Sequence, residues 1–304
     1  MTSDRLLILS DGKPGHLNQS IAFAKHLGRK YDIVSVGFKN RFAKAVSYLA
    51  DRCHLNLESL FRCQEPLPGH YSAIVSTGSE TYYANRVLAK KLGIKSVAIM
   101  LQKGYRYDFD FIVAQQHDNP PEKQNIISLP INLAYVEPQG LVEPKPDHRY
   151  VSLIIGGDSK HAVLDPEYLH SQVEQIFSLF PQHDFWLTTS RRTSAAVEAV
   201  LRQFSFSRAV YYSEEQINPI PDYLWHSDYV FLTADSTSMI SEAVSCGSAS
   251  IEVLPFKAGF PVTGKIARML DTLTKIDALH LFSGETGHAN SKVPLAERLH
   301  GVAS

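Results

Sequence analysis

Short apolar runs alternate with helix-length segments along most of this chain, and the alternation breaks off once and then starts again. Residues 6–9, 32–36, 73–76, 96–99, 111–114 and 126–129 read as strands, with helices at 18–27, 43–50 and 80–92 between them. Strands joined through crossover helices pair in parallel and carry helices on both faces of the sheet. Residues 134–148 hold three prolines and one glycine without periodicity and read as a linker. The pattern resumes with strands at 150–155, 184–188, 209–212, 229–232 and 249–253 and helices at 168–180, 194–204, 239–245 and 264–277. The expected fold class is α/β, with two Rossmann-like domains built on parallel sheets, over residues 1–135 and 149–275. The tail, 276–304, is expected to pack back on the first domain.

At 304 residues there is enough chain for two cores. Thirty basic against 31 acidic residues leave a net charge of -1, so no global field attracts nucleic acid. Cys53, Cys63 and Cys246 have no zinc spacing and predict a reducing compartment. The first apolar run, residues 6–9, is too short for a signal-peptide core or a membrane span, so a cytoplasmic protein is expected, peripheral at most to the inner face of a membrane.

Polar residues gather where strands end. Residues 10–19 place Asp11, Lys13, His16, Asn18 and Gln19 beside Gly12 and Gly15, at the sheet edge where ligands bind in open α/β folds; the spacing is not that of a dinucleotide fingerprint. A plain strand-to-helix turn capped by Asn18 is the structural alternative. In the second half, Gly156, Gly157 and Lys160 follow one strand and Ser190, Arg191 and Arg192 another, where adjacent arginines can clamp a diphosphate. Residues 233–247 run from a strand through a hydroxyl-rich turn into a helix. Ser236 or Ser238 can cap that helix, its first turn, with Met239, suits a phosphate, and Glu242 can accept hydrogen bonds from ribose hydroxyls. Asp108 and Asp110 imitate a metal-binding D-x-D but precede a strand instead of ending one, so no metal site is expected. His117 and Asp118 follow the strand at 111–114 and are acid, base or acceptor-contact candidates.

Four of these segments occur together in order: 10–19, Gly156-Gly157, 188–193 and 235–242. The set resembles the elongated-mitochondria, or mitochondrial-fission, family, whose bacterial members look like GT-B glycosyltransferases. The family's usual Pro-Glu-His-Asp appears as Gln115-Gln116-His117-Asp118. The resemblance implies a donor site in the second half and an acceptor site in the first. The expected activity is transfer of a sugar from a nucleotide-diphosphate sugar to a cell-envelope glycan or lipid-linked acceptor, without cofactor or metal. Gly156, Gly157, Lys160, Ser190, Arg191, Arg192, Ser236, Ser238, Met239 and Glu242 would bind the donor. Asp11 and His16 are the leading bases, with Gly12, Lys13, Gly15, Asn18, Gln19, His117 and Asp118 on the acceptor side. A non-catalytic scaffold, as plant members of the family are known to be, and a nucleotide-sugar 2-epimerase are the alternatives.

Residues 38–50 interleave Lys39, Arg41 and Lys44 with aromatic and aliphatic side chains. The spacing of Phe42, Val46 and Leu49 predicts first that they pack on the sheet and leave the cations as a solvated face. Contact with an anionic membrane surface is the second reading.

Overall fold

The computed structural model describes residues 5–64, 70–158, 163–256 and 264–303. The chain divides into two compact units, Met1–Tyr135 with Pro294–Ser304, and Val136–Val293.

The first unit opens with β1 (Arg5–Ser10), α1 (Pro14–His26), β2 (Lys30–Phe38) and α2 (Arg41–Arg52). It continues through β3 (Phe61–Cys63), β4 (Ala73–Thr77), α3 (Tyr82–Leu92), β5 (Lys95–Ile99), β6 (Phe111–Gln115) and β7 (Ile126–Leu129). The sheet order is β3-β2-β1-β4-β5-β6-β7, parallel throughout except for β3, which pairs antiparallel to β2 at the edge. Leu7, Ile8 and Leu9 of β1 and Ile74 and Val75 of β4 are almost wholly buried, as strands covered on both faces require. The strand order reverses between β1 and β4, and this fixes a crevice at their carboxyl ends.

The second unit contains β8 (Tyr150–Ile155), α4 (Pro166–Leu179), β9 (Asp184–Thr189), α5 (Ala195–Leu201) and β10 (Arg208–Val210). After these come α6 (Ile220–His226), β11 (Tyr229–Thr233), α7 (Thr237–Ser245), β12 (Ser250–Leu254), α8 (Gly264–Lys275) and β13 (His280–Leu281). All its strands are parallel in the order β10-β9-β8-β11-β12-β13, so its reversal lies between β8 and β11. Residues 139–142, inside the proline-rich stretch, are held by Asp222 of α6. Its carboxylate accepts from the backbone N–H groups of Gln139, Gly140, Leu141 and Val142 at 2.6–3.1 Å. The last helix, α9 (Leu295–Ala303), returns to the first unit and packs on α1 and β7.

Local chemistry sets the helix starts. Asn40 caps α2 by accepting from Ala43 N–H at 2.8 Å, and Asp165 and Ser194 do the same for α4 and α5. No helix among the described residues is long and apolar enough to cross a membrane.

Candidate functional site

In the second unit three strand ends converge on one buried carboxylate. Asp235 follows β11, its side chain is fully buried, and it forms an ion pair with Arg192 from the loop after β9. Thr233 Oγ1 donates to Asp235 Oδ1 at 2.6 Å and accepts from Gly156 N–H at 2.7 Å. Thr193 Oγ1 donates to the Gly156 carbonyl at 2.5 Å and accepts from Ser190 N–H at 2.8 Å. Burial raises the Asp235 carboxyl above its ordinary value, against the opposing pull of Thr233 and Arg192.

This network accounts for both glycines. A Cβ on Gly156 would lie 2.0 Å from Asp235 Oδ1, and one on Gly157 would lie 2.0 Å from the Arg192 carbonyl oxygen. Neighbouring loops occupy the space a side chain would need at both positions. Arg192, expected as part of a diphosphate clamp, has its Nη2 paired with Asp235 and its Nη1 3.4 Å from the Asp158 carbonyl oxygen. Ser190 Oγ is bound within its own turn, 3.2 Å from both Thr193 Oγ1 and Arg192 N. Arg191 is exposed and joins no ion pair among the described residues. Lys160 lies outside the described residues.

Ser236 is the N-cap of α7, accepting from Met239 N–H at 3.3 Å, and Ser238 is exposed in the first turn. Glu242, four residues beyond Ser238 and thus on the same side of α7, is half-buried, and its carboxyl has no hydrogen-bond or ion-pair partner among the described residues. Burial alone pushes that carboxyl from an ordinary 4.5 up to about 7. A partly buried carboxyl with a raised pKa near a helix start, beside the strand reversal, is a candidate ligand contact.

In the first unit, α1 begins at Pro14, earlier than the sequence pattern indicates, so the loop after β1 is only residues 11–13 and His16 sits in the helix's first turn. Asn18 is not the cap: it is an exposed helical residue, and Lys13 holds the N-cap position without a side-chain capping bond. His16 Nδ1 lies 2.9 Å from Asp11 Oδ2, and Asp11 also accepts from Lys13 N–H at 3.2 Å and pairs with Lys13 Nζ at 3.2 Å. Burial works to raise the Asp11 carboxyl, but the His16 ring and the Lys13 backbone N–H outweigh it and hold the carboxyl below its ordinary value. Asp11 is then an ionised acceptor, which places the proton on Nδ1 and leaves Nε2 as the basic nitrogen.

The His16 ring lies over Gly78, where an added Cβ would meet it at 2.4 Å. His16 therefore stands at the β1/β4 reversal, half-exposed beside a nearly buried Asp11 side chain. Gly15 has no neighbour that an added Cβ would meet within 4 Å. Gln19 Nε2 reaches Met100 Sδ at 3.7 Å, just past β5. His117 and Asp118 occupy a single 3-10 turn directly after β6. Tyr82 links the two acidic motifs: its hydroxyl donates to the Ile99 carbonyl at 2.7 Å, burial raises its pKa first, and Asp11 and Asp118 both push it further. The polar residues after β1, β5 and β6 thus share one sheet edge of this unit.

Sequence reasoning missed several groups at these edges. Gln102 Oε1 and both polar atoms of Gln115, past β5 and at the end of β6, are buried without hydrogen-bond partners among the described residues. Lys44 reaches over to Ser79 Oγ at 3.1 Å and Glu80 Oε1 at 2.5 Å. Asp235 and Thr233 lay inside a noted motif, and the signal for them was their place at the strand end before the cap. Asp108 and Asp110 are structural: Asp108 pairs with Arg86 at 2.5 Å and Arg106 at 2.6 Å, and Asp110 accepts from Ser96 N and Oγ at 2.7 Å. No group of three or more His, Cys, Asp or Glu able to hold a metal occurs among the described residues.

Two doubly wound units of this kind, each with its polar residues at a strand-order reversal, define an α/β protein of the GT-B class. The chain belongs to the family described as Mitochondrial fission ELM1, whose model matches residues 14–301. The uncharacterized protein RP120 of Rickettsia prowazekii (strain Madrid E) is 26% identical over 291 residues, covering 79% of this chain and 80% of that protein. The crystal structure of a Listeria monocytogenes protein assigned as a UDP-N-acetylglucosamine 2-epimerase superposes with a TM-score of 0.51 at 10% identity, covering 98% of this chain and 95% of the other. A glycosyltransferase of kitacinnamycin gives 0.50 at 12% identity over 99% and 94%. These similarities establish the shared fold.

Proposed function

We propose that the second unit binds the nucleoside diphosphate of a nucleotide sugar and that the protein is a metal-independent glycosyltransferase. The observation that carries the reading is Glu242: a half-buried carboxyl with no partner among the described residues, one turn along α7 from its start at the strand reversal. A ribose diol donating to Glu242 would complete it, while the first turn of α7, with Ser238, and the unpaired Arg191 would face the phosphates. Helix-dipole and guanidinium charge stabilise a departing diphosphate without a metal ion. Lys160 is proposed as an additional cation on sequence grounds. The relatives of this fold include a glycosyltransferase and a protein assigned as an epimerase acting on a UDP-sugar, which supports the same ligand class.

In the first unit the Asp11–His16 pair is proposed as the base for the acceptor hydroxyl, His16 Nε2 taking the proton and Asp11 holding the ring. The acceptor is proposed to be a cell-envelope glycan or a lipid-linked sugar. Titration calorimetry with uridine, guanosine, adenosine and thymidine diphosphates tests the donor site. One of them should bind the wild type and bind more weakly to Glu242→Gln; binding of none would overturn the transferase and epimerase readings together and favour a scaffold. Release of nucleoside diphosphate from the matching sugar nucleotide separates a transferase from an epimerase.

A further inference from the structure

Among the described residues, α2 carries the two most exposed large apolar side chains on the helices of the first unit. The helix turns its small and polar side toward the sheet, burying Ala43, Ser47, Ala50 and Asp51. Phe42 and Leu49, seven residues apart and so on one stripe, are 77% and 64% exposed. The expectation that they pack on the sheet is overturned, because the side chains that fit against it are the small ones on the opposite face. Lys39, Arg41 and Arg52 are exposed at the ends and flank of this stripe, and none of them forms an ion pair among the described residues. The acidic groups of the neighbourhood are spent: Asp51 pairs with Arg86 at 2.7 Å, Glu80 with Lys44 at 2.5 Å and Glu58 with Lys91 at 2.7 Å.

We infer that α2 docks the first unit on an anionic lipid bilayer, with Phe42 and Leu49 entering the headgroup–acyl boundary and Lys39, Arg41 and Arg52 meeting lipid phosphates. Charge complementarity selects this occupant. A stripe with unneutralised cations and no free carboxylate repels a basic partner and attracts an anionic one. Its apolar residues stand out from a convex helix, which suits insertion into a deformable surface. Each cation near an anionic leaflet strengthens binding about fivefold, and burial of a phenylalanine and a leucine adds more than tenfold. The inference stands on α2 alone and does not depend on the donor site.

Cosedimentation of the full chain tests it, using vesicles of phosphatidylglycerol in phosphatidylcholine and, as control, phosphatidylcholine alone. The protein should pellet with the anionic vesicles, weaken as salt is raised, and bind at least tenfold more weakly as Phe42→Asp with Leu49→Gln or as Lys39→Gln with Arg41→Gln. Both variants replace exposed side chains, and unchanged thermal unfolding verifies that they are folded. Failure to pellet with anionic vesicles at low salt, or equal pelleting by the variants, would overturn the inference. So would a dimer of the wild type in light scattering that the Phe42→Asp, Leu49→Gln variant abolishes, because the face would then be a contact between copies.

Discussion

Arg192 and Asp235 bridge the loops after β9 and β11, and the Asp235 carboxylate lies directly over Gly156, leaving no room there for a Cβ. The two adjacent arginines of that loop consequently have different surroundings. Arg192 is engaged by Asp235, while Arg191 is exposed and joins no ion pair among the described residues.

Their substitutions should separate accordingly. Arg191→Ala should weaken nucleoside diphosphate binding by about 1.5–3 kcal/mol, the range of a charge-assisted hydrogen bond, with an unchanged melting temperature. Arg192→Ala should destabilise the fold by about 1–2 kcal/mol, discounted because its guanidinium is half open to water, by leaving Asp235 buried without its partner. Calorimetry and thermal unfolding on the two variants check this. Equal loss of stability in both would contradict the division.

Glu242 makes a prediction with a definite sign. Its carboxyl titrates near 7 in the folded protein and near 4.5 when exposed, so the folded state holds the proton more tightly. Stability of the free protein should therefore fall as pH rises from about 4.5 to about 7, and the cost above that range is on the order of 3 kcal/mol. Glu242→Gln removes the titration and should be more stable than wild type at alkaline pH. Nucleotide affinity should move the other way, rising through about 7, because ribose hydroxyls donate to the ionised form. Denaturation and binding measured across pH on both proteins test the two slopes.

The Asp11–His16 pair predicts a hierarchy of losses. His16→Gln should lower acceptor-dependent release of nucleoside diphosphate by roughly 100-fold to 10,000-fold, the usual contribution of a positioned base. Asp11→Asn keeps the shape but leaves Nδ1 without its anionic acceptor and should show a comparable loss in rate with donor affinity preserved. A rate loss explained wholly by weaker donor binding would exclude the proposed role.

How far the sequence reveals this molecule depends on element length and on which partners lie far along the chain. The long buried runs, such as residues 150–155, announce β8 because parallel central strands are apolar on both faces. The edge strands β3 and β13, with three and two residues, carry no periodicity and are invisible beforehand. Helix α6 is also missed, since it is a short segment entered through Pro219 and Pro221. At the candidate site a cap at Ser236 or Ser238 follows from local pattern, and the structure gives it to Ser236, whereas the burial of Glu242 does not follow. Nor does the capture of Arg192 by Asp235, 43 residues away, or the outward turn of Phe42. On α2 the hydrophobic spacing is helical, but small residues on the opposite side win the place against the sheet.

The last prediction concerns Asp222, the anchor of residues 139–142. Burial works to raise its carboxyl, yet the four N–H donors outweigh burial and hold it below 3.8. A depressed carboxyl contributes stability that is complete above its unfolded pKa and is lost as pH falls through the folded one. Wild type should accordingly lose stability below about pH 4, and Asp222→Asn should lack that acid-dependent loss. At neutral pH Asp222→Ala should cost about 2–5 kcal/mol, because it strands several donors in a partly buried segment, and Asp222→Asn should cost less because one oxygen still accepts. Urea unfolding at acid and neutral pH measures all three. An alanine variant as stable as wild type would mean that residues 139–142 find other acceptors and that Asp222 does not hold them.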